Sequence, residues 1–174
     1  MRRLMLLRHA KTERANPGDR DRDRKLLKRG RADAPVIGAY MTRHGLVPDL
    51  AIVSPATRAQ ETWALVAAAW AKTPRMVTEA RIYNADTTTL ISVIGETRKT
   101  PALLIVGHNP SLHDLAVQLI ASGDVAARER IAENLPTSGL VVIDLPLDDW
   151  ALLRAQSGRL ERFVSPREIA AATE

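Results

Sequence analysis

Cysteine is absent from the 174 residues, and only six side chains are aromatic: three Trp, two Tyr and one Phe. Without cysteine there is no disulfide framework, no thiolate metal site and no cysteine nucleophile. With so few aromatics, stacking platforms for single-stranded nucleic acid are scarce. No apolar run approaches the roughly 18 residues of a membrane span. The stretch Leu4 to Leu7 behind Arg2 and Arg3 is too short for the apolar region of a secretory signal. A Gly-rich Lys-Ser/Thr loop and a Gly-x-Ser-x-Gly elbow are both missing, which excludes P-loop ATP hydrolysis and removes support for a serine hydrolase. A cytoplasmic protein is the expectation.

What is present describes one globular domain over residues 1–174, with a tail expected to fray after about residue 166. Apolar residues make up 45% and charged residues 26%, a composition that can bury a sizeable core. The 25 Lys and Arg outnumber the 20 Asp and Glu by five, and the excess is local. Arg14 to Arg31 holds eight basic residues against Asp19, Asp21 and Asp23, which is also +5. A basic stretch suggests nucleic acid, but here the arginines alternate with aspartates, unlike an arm built to neutralise phosphates. Nucleic acid is not expected as a partner. Asp21 and Asp23 are expected to pair with neighbouring arginines or cap the turn before Leu26.

Read in order, Met1 to Leu7 is a buried strand and Ala10 to Arg29 a long polar loop. Gly30 to Arg43 has a helical apolar face, with Gly45 fit for a left-handed terminus. Ala51 to Val53 is a strand. Ser54-Pro55 then opens a helix reaching about Lys72, serine capping and proline at the first helical position. Met76 to Thr78 is a strand, Asp86 to Thr97 a helix, and Ala102 to Val106 a central strand. Asn109-Pro110 starts the next helix by the same logic. Leu140 to Leu145 is a strand, and Arg159 to Val164 an edge strand. This alternation predicts an α/β fold, a three-layer α/β/α sandwich around a largely parallel sheet.

Ligand sites of such sheets lie beyond the carboxyl ends of the strands. Three ends carry chemistry: Arg8-His9, Ser54-Pro55-Ala56-Thr57-Arg58 and Gly107-His108. Two arginines and two histidines in one crevice suit a phosphoryl group. Arginine forks donate paired hydrogen bonds to its oxygens, and a neutral imidazole can attack phosphorus. The literal triplet Arg43-His44-Gly45 follows a helix and reads as helix termination. His113 reads as a surface residue, and Trp63, Trp70 and Trp150 as packing. Ser111 could cap the helix or line the site and Thr137-Ser138-Gly139 could reach the rim, but neither is assigned a role.

Leu6-Leu7-Arg8-His9-Ala10-Lys11-Thr12 resembles the Arg-His-Gly signature of the histidine phosphatase superfamily, with Ala10 where glycine is usual. Ser54 to Thr62 and Val106-Gly107-His108-Asn109-Pro110 resemble its second and third blocks. The short chain and Asp21-Arg22-Asp23-Arg24 ahead of Leu26 are similar to the small SixA-like branch, the phosphohistidine phosphatases. The resemblance covers about residues 2 to 165 and implies a phosphoglycerate-mutase-like fold. It implies His9 as nucleophile, Arg8 and Arg58 as phosphate clamps, and His108 as a donor to the phosphoryl oxygens, with no metal or other cofactor. Arg24, Thr12 and Asn109 are candidate substrate-binding residues. Family members that cleave esters use a carboxyl group to protonate the leaving oxygen. Glu79 and Asp86 stand in the right segment, but the pattern around them fixes neither. The expected substrate is a phosphohistidine on a signalling or phosphotransfer protein. A small phosphomonoester is the alternative, as is a non-catalytic module that binds phospho-ligands. Whether the basic loop selects acidic partners or only attracts anions stays open, as does the oligomeric state.

Overall fold

The computed structural model describes residues 1–172. The first strand, β1, is Arg2–Arg8. Its run Leu4-Met5-Leu6-Leu7 has no polar side because both faces of the sheet are covered. Leu4 and Leu6 enter one core cluster, while Met5 and Leu7 enter the other. The same division by alternate residues holds in β2 (Leu50–Val53), β4 (Ala102–Gly107) and β6 (Leu140–Leu145). With β3 (Arg75–Thr78), β5 (Ile120–Gly123) and β7 (Gly158–Val164), they form one seven-stranded sheet in the order β3-β2-β4-β1-β6-β7-β5. Only β6 runs against the rest, antiparallel to both β1 and β7.

Helices α1 (Lys28–Arg43), α2 (Thr57–Ala67) and α6 (Pro166–Ala172) place Ile37, Trp63 and Ile169 on the Met5 face. Helices α3 (Thr87–Glu96), α4 (Ser111–Leu119) and α5 (Val125–Glu133) place Leu90, Leu115 and Ile131 on the Leu4 face. The three-layer α/β/α sandwich is therefore as the alternation predicts. Each fully buried leucine or isoleucine contributes about 1.5–3 kcal/mol, and the two clusters pack the central strands on both faces. The helix-ending role of Gly45 also holds. Its φ is +66°, and Leu46 N–H bonds to Met41 C=O while Gly45 N–H reaches Thr42 C=O, a Schellman ending.

Several local expectations are corrected. Helix α2 starts at Thr57, not at Pro55 with Ser54 as its cap, because the Ser54 hydroxyl is bonded to Ala56 N–H and to His108 instead of a helical turn. It ends at Ala67, five residues before Lys72. Helix α4 is preceded by Pro110 in helical geometry, and the Asn109 side chain turns away to Leu135 C=O. Strand β7 is not an edge: β5 pairs outside it. The chain does not fray from residue 166, since α6 buries Pro166 and Ile169. His113 is half-buried and donates to Ile131 C=O at 2.6 Å, linking α4 to α5. The tryptophans pack as expected. Trp63 and Trp70 meet edge to face, and Trp150 is fully buried with its N–H on Thr100 C=O.

Candidate active site

The ends of β1, β2 and β4 lie side by side, so Arg8-His9, Ser54 and Gly107-His108 meet at one end of the sheet. Arg8 pairs with Gly107 in register, and Val53 with Val106. The His9 and His108 rings are 5.3 Å apart, and Tyr83 stands edge-on to His108 at 5.6 Å. Thus the four residues singled out from the strand ends and α2 do come together. Both histidines and Arg58 are buried, each at most 8% exposed.

His9 has one available tautomer. Its Nδ1 lies 2.9 Å from Ala10 C=O, an acceptor only, so Nδ1 carries the proton and Nε2 keeps its lone pair. Burial, opposed by this hydrogen bond and reinforced by His108, Arg58 and Arg8, pushes its pKa down to about 3. Ala10 itself is held by Thr62, whose hydroxyl accepts Ala10 N–H and donates to Arg58 C=O. Thr62 therefore ties the turn after His9 to the helix that carries Arg58.

His108 Nε2 is 2.7 Å from Ser54 Oγ. The Ser54 hydroxyl accepts Ala56 N–H and has no other acceptor for its own proton among the described residues, so it is assigned as donor to Nε2. The ring proton then sits on Nδ1, which is buried and has no protein partner among the described residues. Burial first, then Arg58, lowers the His108 pKa to about 4, with Asp21 opposing. Arg8 gives one N–H to Leu135 C=O, the same carbonyl that accepts from Asn109. The Nε atoms of Arg8 and Arg58, Asn109 Oδ1 and Ser138 Oγ are likewise buried without partners among the described residues. Leaving a buried polar group unpaired costs about 1–3 kcal/mol. Five such atoms in one crevice mark a place where stability is given up for recognition.

Arg58 is anchored from the loop. One of its terminal nitrogens donates to Asp21 C=O at 2.8 Å and the other to Asp21 Oδ2 at 3.0 Å. Tyr83 OH donates to the same carboxylate at 2.5 Å, and Arg24 Nε donates to its other oxygen at 3.0 Å. The Tyr83 hydrogen bond, followed by Arg58 and Arg24, lowers the Asp21 pKa to about 2. Arg24 also donates to Thr12 Oγ1 and Glu13 C=O, so Thr12 and Arg24 are joined to each other in the loop wall. Asp23 pairs with Arg20 as expected. Helix α1 closes against this loop through Gly30, where a Cβ would stand 2.2 Å from Lys11 O.

The side chains of the two carboxylates considered as acids have other partners. Glu79 is bound by Arg81, which lowers its pKa, and Arg81 also grips Glu96. Asp86 caps α3 through Thr89 N–H. Among the described residues no three His, Asp or Glu side chains gather as a metal site would require.

The profile of the histidine phosphatase superfamily (branch 1) matches residues 4–87, which carry Arg8, His9 and Arg58. The crystal structure of a candidate phosphohistidine phosphatase SixA from Agrobacterium tumefaciens superposes with a TM-score of 0.79 at 30% identity, over 95% of this chain and 98% of that one. The chain belongs to the histidine phosphatase superfamily, in its SixA-like branch. An uncharacterized protein of Mycobacterium tuberculosis H37Rv is 35% identical over 165 residues, spanning 92% of this chain and the whole relative. A candidate SixA from Nakamurella multipartitia, 22% identical, has the same fold with a TM-score of 0.81 over 95% of this chain and 96% of that one.

Within this histidine phosphatase the Arg43-His44-Gly45 triplet ends α1, and His44 is exposed beside Tyr40, at 4.3 Å between rings. His44→Ala is expected to keep nearly full turnover. A thousandfold loss of kcat in a folded variant would move the site. Four contributors escaped the sequence reading as site residues: Ser54 beyond its expected cap, Thr62, Tyr83 and the Leu135 carbonyl. Ser54 and Thr62 lie inside the second motif block, which is a usable signal. Nothing in residue spacing joins Tyr83 to Asp21.

Proposed function

We propose that this phosphatase hydrolyses phosphohistidine on a protein, through a phosphorylated His9. The observation that carries the reading is the His9 ring. It is neutral, with its proton fixed on Nδ1 by Ala10 and its Nε2 lone pair directed at a crevice rich in donors. In the first step Nε2 bonds to phosphorus as the substrate's P–N bond breaks. Arg8 Nε, Arg58 Nε and His108 Nδ1–H hold the phosphoryl oxygens. A substrate imidazole already protonated on its remote nitrogen takes the electron pair and leaves as neutral imidazole. In the second step water attacks phosphorus and the Nε2–P bond breaks. The Nδ1 proton held by Ala10 lets His9 depart as a neutral ring, with dihydrogen phosphate as product. No metal is needed for either step.

Substrate class follows from the missing acid. An alkoxide leaving group needs a proton donor, worth roughly 10²–10⁴-fold, and Asp21 is held ionised while Glu79 and Asp86 are engaged elsewhere. Therefore kcat/KM for a phosphohistidine peptide is expected to exceed that for a phosphoserine peptide by about 10²-fold or more. Equal rates on the two would overturn the reading and favour small phosphomonoesters.

Asp21 acts through Arg58 as a positioning residue. Asp21→Ala is expected to lower kcat/KM by up to about 10²-fold, the scale of a misplaced clamp, while Asp21→Asn, which keeps one acceptor oxygen but not the charge, recovers only part of it. Because its pKa is depressed, the ionised anchor is complete above the ordinary carboxylate value near 4 and is lost as pH falls through about 2. A kcat/KM unchanged in Asp21→Ala would reduce the contact to loop packing.

A further inference from the structure

The loop that anchors Arg58 carries charge that neither the site nor the fold uses. Three of its four acids are engaged: Asp19 accepts Asn16 N–H, Asp21 holds Arg58 and Arg24, and Asp23 pairs with Arg20. Five of its cations are not. Lys11, Arg14, Arg22, Lys25 and Lys28 are all exposed, and none has an ion pair or side-chain hydrogen bond among the described residues. Glu13 is the one free acid among them. The placement also opposes stability. Lys28, Arg29 and Arg31 occupy the first turn of α1, which contains no acid, so cations crowd the positive end of the helix dipole. Arg29 pairs with Asp33 and Arg31 donates to Leu26 C=O, so these two serve the fold, but Lys28 and the four other unpaired cations do not, which directs attention to a partner.

We infer that Lys11, Arg14, Arg22, Lys25 and Lys28 form a docking surface for an acidic protein segment flanking the phosphorylated residue. The inference rests on the phosphohistidine reading above. The surface adjoins the crevice, because the loop leaves β1 directly after His9 and its Asp21 turn touches Arg58 and Tyr83. One phosphoryl group already has Arg8, Arg58 and His108 as partners. Five further cations, distributed from the end of β1 to the start of α1, match several negative charges on a larger body. A protein is favoured over nucleic acid because residues 11–31 contain no aromatic side chain on which a base could stack.

The test uses two chemically phosphorylated histidine peptides of equal length, one flanked by six Asp or Glu and one by Ser and Gln, together with free phosphohistidine. Wild type is expected to show a KM about tenfold lower for the acidic peptide, the low end of electrostatic steering. That preference should shrink between 0.1 M and 1 M salt, as the screening length falls from about 10 to about 3 Å. The triple variant R14E/R22E/K25E, on exposed positions outside the crevice, should erase the preference, leave kcat unchanged and leave free phosphohistidine unaffected. Retained preference in the variant overturns the inference. So does an equal rise in KM for free phosphohistidine, which would mean plain attraction of any phosphoryl anion. Stronger competition by a 20-mer oligonucleotide than by the unphosphorylated acidic peptide would also overturn it. If wild type hydrolyses neither peptide, the substrate reading fails on its own. Binding of the labelled, unphosphorylated acidic peptide to wild type and not to the triple variant then still decides the docking surface.

Discussion

His9→Ala is expected to abolish hydrolysis of a phosphohistidine peptide in buffer containing EDTA, lowering kcat by roughly 10⁴–10⁶-fold, the scale seen when a nucleophile is deleted from a cooperating set. The variant should fold, because the side chain removed is a small part of the core and makes one hydrogen bond, to Ala10 C=O. Wild type quenched in mid-turnover should carry a phosphoryl group that His9→Ala does not. The pH profile adds a second check. A nucleophile with an ordinary histidine pKa would lose half its activity near pH 6.5, whereas burial holds the His9 pKa at about 3. Hence formation of the phosphoenzyme should not fall between pH 8 and about pH 5, and protonation of the leaving imidazole can only raise it. The same depression affects stability. The unfolded chain binds a proton between about 6.5 and 3 that the folded ring refuses, so stability declines as pH falls through that window. A loss of rate as pH falls through about 6.5 in the phosphorylation step, opposite in sign to protonation of the leaving imidazole, would place the lone pair on a different histidine.

The strands and the strand-end residues were legible because they depend on short-range pattern. A continuous apolar run such as Leu103-Leu104-Ile105-Val106 has few stable arrangements other than a strand covered on both faces. What stayed hidden depends on contacts distant in sequence. Strand β5, Ile-Ala-Ser-Gly, has no alternation of its own and exists because β7 pairs with it. Helix α5 buries only Ala127 and Ile131, too thin a stripe to read, although Asp124 capping Ala127 N–H was a local signal. The Ser54 cap failed for a functional reason: its hydroxyl serves His108, so a local rule gave way at the site. Glu79 was indistinguishable from a general acid by sequence: its partner Arg81 is only two residues away, but whether that guanidinium folds back on it, and is held there with Glu96, is decided by the fold.

Arg58→Ala is expected to lower kcat by about 10²–10³-fold, the loss on removing one preorganised donor to a developing charge, equivalent to about 2.7–4 kcal/mol. The number rests on burial and on anchoring together. Arg58 is 5% exposed, and with its two terminal nitrogens committed to Asp21 the guanidinium is fixed before any substrate arrives. Its Nε, buried and unpartnered among the described residues, is a free donor for a phosphoryl oxygen. Preorganisation of this kind is lost with the fork, not only with the charge. Arg58→Lys should therefore recover little: an ammonium cannot hold Asp21 through two nitrogens and still present a third donor in plane. A KM rise with unchanged kcat would instead mean that Arg58 binds ground state and transition state alike. Two controls separate the clamp from its support. Tyr83→Phe removes one bond to Asp21 but leaves both bonds from Arg58, so it should cost far less than Arg58→Ala. In the double variant Asp21→Ala/Arg58→Ala the losses should fall well short of additive, because Asp21 has no route to the phosphoryl group except through Arg58. Full additivity would give Asp21 a contact of its own with the substrate.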